Sequence, residues 1–177
     1  MYKLVDSTFV FAMKNDIKSV ELLPRFCSRY ELITTDDVRS EAVKTPFPEE
    51  YIAVKSFPPD DYEKLKETIF RRHPQLHKGE ISAIAASILL TEEGFDNYIV
   101  TDDNRARKSI DRLESDQMFW NTVNHSPVKL KYAGTIGIIQ KLKSYGIVSL
   151  DECKSISRDL QNSGFRAPEH LLKILCD

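Results

Sequence analysis

Tyr98-Ile99-Val100-Thr101-Asp102-Asp103-Asn104-Arg105-Ala106-Arg107 is the stretch that decides the fold. A β-branched run follows the stop signal of Gly94 and predicts a strand over 98–101. Two acids and an asparagine then precede a basic segment holding Arg105, Arg107, Lys108 and Arg112, the expected opening of a capped helix. The same order, strand then acid then helix, begins the chain. Residues 2–6 are apolar and end in Asp6, and Phe9, Val10 and Met13 follow at helical spacing. It returns at 30–34, where Thr35 and the Asp36-Asp37 pair open a helix through Glu41 and Val43 that Pro46 and Pro48 terminate. Strands alternating with helices bury both sheet faces, so the expected fold is α/β: a three-layer α/β/α sandwich around a mainly parallel sheet.

Outward from these units, a helix is predicted over 16–27 with Asp16 as N-cap and Val20, Leu22, Leu23 and Phe26 inward. Pro58-Pro59-Asp60-Asp61 begins a polar helix ending near Arg72, before Pro74. Residues 79–90 carry the strongest periodicity: Ile81, Ile84, Ile88 and Leu89 form a stripe, and Ala83, Ala85 and Ala86 allow close backbone approach, as expected of a central helix. From 115 to 126 the pattern breaks around Trp120; it resumes as a strand over 128–132 and a helix led by Gly134-Thr135-Ile136-Gly137 and ending at Tyr145. Helices over 150–161 and 167–175, flanking Gly164, read as a C-terminal helical hairpin. The expected division is a domain over 1–148 and a helical extension over 149–177 packed on it.

With 177 residues, 41% of them hydrophobic and 29% charged, the chain suits one ordinary domain and is too apolar for disorder. The longest nearly apolar run, 81–90, is half of the roughly 20 residues a membrane helix needs, so no membrane association is expected. Asp6 lies too early for a secretory leader, and the expected location is cytoplasmic. Cys27, Cys153 and Cys176 are far apart with no paired spacing, which excludes a zinc knuckle and a disulfide framework. A net charge of −2 gives no global field for a polyanion, so contact with nucleic acid has to come from local patches.

In parallel sheets the functional crevice lies beyond the carboxyl ends of the strands. Asp6, Asp102 and Asp103 end strands, Glu41 sits in the helix after the second strand, and Glu80 opens the alanine-rich helix; all could meet there. Each also has a local explanation. Asp102, Asp103 and Glu80 could cap helices, Glu41 could pair with Arg39 or Lys44, and Asp6 could form a turn. Carboxylates within about 4–6 Å of one another repel by roughly 1 kcal/mol per pair in water and more inside a protein, and a cation removes that conflict. Oxygen ligands without His or Cys suit Mg2+ or Mn2+, which bind phosphate oxygens and lower the pKa of bound water.

In this order, Leu4-Val5-Asp6-Ser7, Val38-Arg39-Ser40-Glu41-Ala42, Lys78-Gly79-Glu80-Ile81-Ser82-Ala83-Ile84-Ala85, Ile99 to Arg107 and Gly134 to Lys143 resemble a PIN-domain protein over most of the chain, and specifically the toxin-like (VapC-like) branch. Asn162-Ser163-Gly164-Phe165-Arg166 before a short last helix also fits that branch. The resemblance implies a Mg2+- or Mn2+-dependent ribonuclease with catalytic acids at Asp6, Glu41, Glu80 and Asp103. The metal would sit on Asp6, Glu80 and Asp103, with Asp102 as an additional acid. Ser7 and Thr101 match hydroxyls that orient such carboxylates. It also implies an RNA substrate, a homodimer and, where the gene belongs to a toxin-antitoxin pair, an antitoxin protein that blocks the crevice. The chain departs from a minimal PIN domain through its 46–74 and 114–126 segments.

Among the basic clusters, Arg105 and Arg107 begin next to the proposed acids and are the expected phosphate contacts; Arg71-Arg72-His73 and Lys129, Lys131, Lys141 and Lys143 fit solvated faces. His73 and His77 have metal-ligand spacing, but Pro74 lies between them. Trp120 could stack on a base or simply pack. Thr8 stands where a haloacid-dehalogenase-type phosphatase needs its second acid, and Ser7-Thr8-Phe9 replaces the glycines of a dinucleotide fingerprint. No phosphate-binding glycine loop with its lysine is present, and His125 and His170 lack the context of a catalytic triad. The competing class is a non-catalytic scaffold of the same fold that binds RNA or protein.

Overall fold

The computed structural model describes residues 1–42 and 46–177. Val43, expected in the helix of Glu41, and Lys44, its possible partner, lie outside the described residues. Five strands, β1 (Tyr2–Val5), β2 (Glu31–Thr34), β3 (Ile52–Val54), β4 (Asn97–Val100) and β5 (Tyr132–Ala133), form one sheet in the order β3-β2-β1-β4-β5. Every pairing is parallel, with Val5 opposite Val100 and Leu4 opposite Ile33. The expected α/β/α sandwich is the fold observed.

Alternation along the central strand divides the core. Val5 faces one layer, built from α1 (Ser7–Phe11), α2 (Leu22–Cys27), α8 (Thr135–Ser144), α9 (Leu150–Ser163) and α10 (Glu169–Cys176), through Phe9, Phe26, Ile139, Leu160 and Leu175 among others. Leu4 faces the other, built from α4 (Pro59–Arg72), α5 (Lys78–Glu92), α6 (Asn104–Glu114) and α7 (Gln117–Val123) through Leu65, Ile88, Ile110 and Trp120. The C-terminal hairpin, reversed at Gly164 with φ +77°, therefore shares the first layer's core.

Residues 79–90 are buried on every side rather than along a stripe, because the small side chains let neighbours close in. The two serines there are satisfied inward: Ser82 Oγ bonds Thr35 Oγ1 at 2.7 Å, and Ser87 donates to Asn97 Oδ1 at 2.6 Å. An isolated buried hydroxyl costs free energy, and these pairs remove that cost.

Four expectations are corrected. The helix from Asp16 begins instead at Leu22, since Pro24 has no N–H and is tolerated only in a first turn. Ala12–Asp16 extends α1 as a π-helical turn, and Val20, expected inward, is 83% exposed. The strand expected over 128–132 is the two-residue β5. Strand β3 and helix α7 appear where no element was predicted; α7 is capped by Asp116, whose Oδ1 accepts from Phe119 N, and ended by Asn124 at φ 63°. Trp120 packs edge-to-face on Phe119 at 4.9 Å and is 1% exposed, closed to base stacking.

Candidate active site

β1 and β4 are adjacent, but the chain leaves them for opposite faces: α1 enters the first layer and α6 the second. Such a switch point opens a crevice at the carboxyl edge. Asp6 follows β1 directly and donates its N–H to Val100 O at 3.1 Å, which fixes it beside Thr101, Asp102 and Asp103.

Asp6 is 2% exposed. Its Oδ1 accepts from Thr8 Oγ1 at 2.6 Å and from Phe9 N at 3.0 Å, capping α1. Its Oδ2 is buried with no hydrogen-bond partner among the described residues. Burial pushes its carboxyl up to about 6; the Thr101 and Thr8 hydroxyls and Phe9 N–H oppose that, and the charge of Asp102 adds to it. The Thr101 hydroxyl is thus near enough to favour the charged form without closing a bond to Oδ2.

Asp102 accepts from Thr135 N at 3.0 Å and Thr135 Oγ1 at 2.5 Å, and its carboxyl is raised by burial against those bonds. Asp103 takes up the capping alternative: Oδ1 accepts from Arg105 N at 2.6 Å and Ala106 N at 3.3 Å. Burial raises its pKa, but the Arg105 side chain, at 2.9 Å from Oδ2, and those amides outweigh burial and lower it. Glu80 also caps, its Oε2 accepting from His77 N at 2.8 Å. Burial raises it, opposed by that N–H and increased by Asp103. Glu41 does not use Arg39, which pairs with Glu49. Its Oε1 accepts from Gly79 N at 2.7 Å and its Oε2 from Ser7 Oγ at 3.2 Å. A Cβ on Gly79 would lie 2.4 Å from Glu41 Oε2, so only glycine leaves this carboxylate its place.

These contacts join the five acids in one continuous series. Ser7 links Asp6 to Glu41, and Gly79 links Glu41 to Glu80. His77 Nε2 lies 3.4 Å from Arg105 Nη2, which holds Asp103. Thr8 Oγ1 accepts from Asp102 N at 3.3 Å while donating to Asp6. Among the described residues, however, no three His, Cys, Asp or Glu side chains converge closely enough to hold a metal as they stand. The acids are neighbours along the carboxyl edge of the sheet, and each is engaged by a local donor.

Ser7 reaches Glu41 rather than Asp6, and Thr101 accepts from Asp103 N at 3.2 Å. Arg105 lies between Asp103 and His77. Arg107 is occupied by the Thr101 carbonyl, at 2.6 Å from Nη2, and by Asp102 at 3.5 Å. His73 caps the end of α4 and His77 the start of α5, so they do not form a helix-borne pair. Thr8, Thr135 and Gly79 escaped the sequence reading. Thr8, two positions after Asp6, was the legible one; Thr135 and Gly79 meet their acids only across the fold.

Comparison with known proteins finds no matching family model, no matching curated protein and no matching solved structure.

Proposed function

We propose that this chain is a metal-dependent ribonuclease of PIN type, hydrolysing RNA phosphodiester bonds at the Asp6 crevice. The observation that carries the reading is Asp6 Oδ2, a buried carboxylate oxygen without a donor among the described residues, at the switch point of a parallel sheet. Such an oxygen costs free energy unless something outside the chain meets it. The all-oxygen chemistry of Asp6, Glu80 and Asp103, with Asp102 as an additional acid, suits Mg2+ or Mn2+, and these residues would hold the ion once drawn together. When bound, the ion supplies a lowered pKa for water and charge neutralisation at phosphate.

The chain's own residues have separable tasks. Thr8 and Phe9 N–H fix one oxygen of Asp6 and leave the other without a donor among the described residues. Glu41 is held against α5 by Gly79 N and Ser7. Arg105, half-exposed at the rim, can exchange Asp103 for a phosphate oxygen, whereas Arg107 secures the end of β4. The partners proposed with this reading are RNA, a second copy of the chain and an antitoxin protein that covers the crevice.

Hydrolysis of a labelled RNA pool in Mg2+ or Mn2+, with Asp6→Asn and Asp103→Asn as comparators, tests it: cleavage by the native chain and its loss in both folded variants is expected. Equal cutting by all three rejects the reading. The second reading, a scaffold that binds RNA or protein, draws on the capping roles of Asp103 and Glu80. RNA binding with neither cleavage nor Mn2+ uptake would select it.

A further inference from the structure

We propose that the cavity walled by Tyr30, Tyr98 and Tyr145 beside the start of β1 is a binding site for a small organic phosphate, independent of the acidic crevice. Lys3, three residues before Asp6 and about 10 Å from it by the rise of a strand, is only 5% exposed. Its Nζ lies 3.6 Å from the centre of the Tyr98 ring and 4.9 Å from that of Tyr30, yet it has no hydrogen-bond acceptor or ion pair among the described residues. Ring faces attract a cation but leave its three N–H donors unused. The side chain is buried although its Nζ is not wholly enclosed, so the ammonium opens towards the cavity, and a methionine would fill the same space without partly desolvating a charge.

The surroundings repeat the pattern. The Arg29 guanidinium lies 4.5 Å and Lys141 Nζ 5.2 Å from the centre of the Tyr145 ring, and these two cations lower its phenol against the effect of burial. Asp96, whose charge acts on Lys3, is paired with Lys131 at 2.7 Å. Lys3 and Lys141 thus face one cavity whose described lining holds no carboxylate, and Arg29 stacks on Tyr145 at its wall. Two ammonium groups match a dianion better than a monocarboxylate. The volume, about 310 Å3, is at the lower end of small-molecule sites and exceeds what inorganic phosphate fills, leaving room for a sugar-sized body over Ile138 and Ala133. Burial also pulls Lys3 down to about 8; the charge of Asp96 opposes that shift and Lys131 adds to it.

Isothermal titration calorimetry of the full chain with ribose 5-phosphate, inorganic phosphate and acetate tests the proposal. Ribose 5-phosphate is expected to bind with a submillimolar Kd, about tenfold or more tighter than acetate. Lys3→Met and Lys141→Ala should each weaken it about tenfold or more, while Asp6→Asn leaves it unchanged. Lys141 is exposed, so its variant decides the matter if Lys3→Met fails to fold. No heat up to about 10 mM ligand, equal affinity for acetate, or undiminished binding by folded variants would overturn it.

Discussion

The two ends of β1 each bury a charge, and they do so differently. Among the described residues, Asp6 at the carboxyl end has one oxygen saturated and the other without a donor, and Lys3 at the amino end lies against aromatic faces with no hydrogen-bond acceptor. Burial moves Asp6 up to about 6 and Lys3 down to about 8, so both are mostly charged only between those values. The difference teaches what each end is ready to meet: a cation between oxygens at one, an anion between ammonium groups at the other.

The largest expected effect separates the two ends by chemistry. Asp6→Asn should lower Mn2+-dependent RNA hydrolysis by about a thousandfold, roughly 4 kcal/mol of barrier, while Lys3→Met leaves it within about twofold. A cleavage time course on both variants measures this. Equal loss in both would make them parts of one site and break the comparison.

Stability against pH comes next. Between 3.8 and about 6 the folded chain keeps the Asp6 proton that the unfolded chain releases, so this group's contribution falls as pH rises, by about 3 kcal/mol across the window. For Lys3 the folded chain releases its proton near 8 and the unfolded chain near 10.5, so its contribution climbs with pH over that interval. Urea denaturation at pH 4, 7 and 10 should show Asp6→Asn gaining more over the native chain at pH 7 and 10 than at pH 4, and Lys3→Met gaining more at pH 7 than at pH 10. Variant gains independent of pH would refute both assignments.

Smaller effects sharpen the acidic end. Gly79→Ala places its Cβ where Glu41 Oε2 lies and should displace that side chain, with unfolding stability changed by only about 1 kcal/mol and hydrolysis reduced about tenfold. A large stability loss with hydrolysis intact would reverse the roles given to this glycine. Thr8→Val removes the donor to Asp6 Oδ1 and the acceptor for Asp102 N and should cost about 1 kcal/mol in the same denaturation measurement.

Much of the framework was legible because each central strand ends in a residue that caps the next helix. Tyr2–Val5 with Asp6, and Asn97–Val100 with Asp103, put strand, turn and helix signals in one short window. Residues 79–90 were legible because they are apolar and rich in alanine. β3 was not: three residues between prolines are stabilised by pairing with β2, a tertiary effect absent from local pattern. Nor was α7, whose buried Phe119 and Trp120 sit among polar neighbours with too few turns to show a period. At the site, the positions of the acids could be read, since strand ends converge in any parallel sheet. Their partners could not. Thr135 reaches Asp102 across 33 positions and Gly79 reaches Glu41 across 38, distances at which only the fold decides proximity. The Lys3 cavity was hidden for the same reason, because its walls come from β1, β4, α8 and the turn after α2.

The outermost strands have three residues in β3 and two in β5. A row this short offers an approaching chain few free backbone groups, which protects against runaway sheet growth. It also directs self-association: two copies that meet should join through helical surfaces instead of prolonging the sheet, leaving the crevice rim of each free to receive a long polymer.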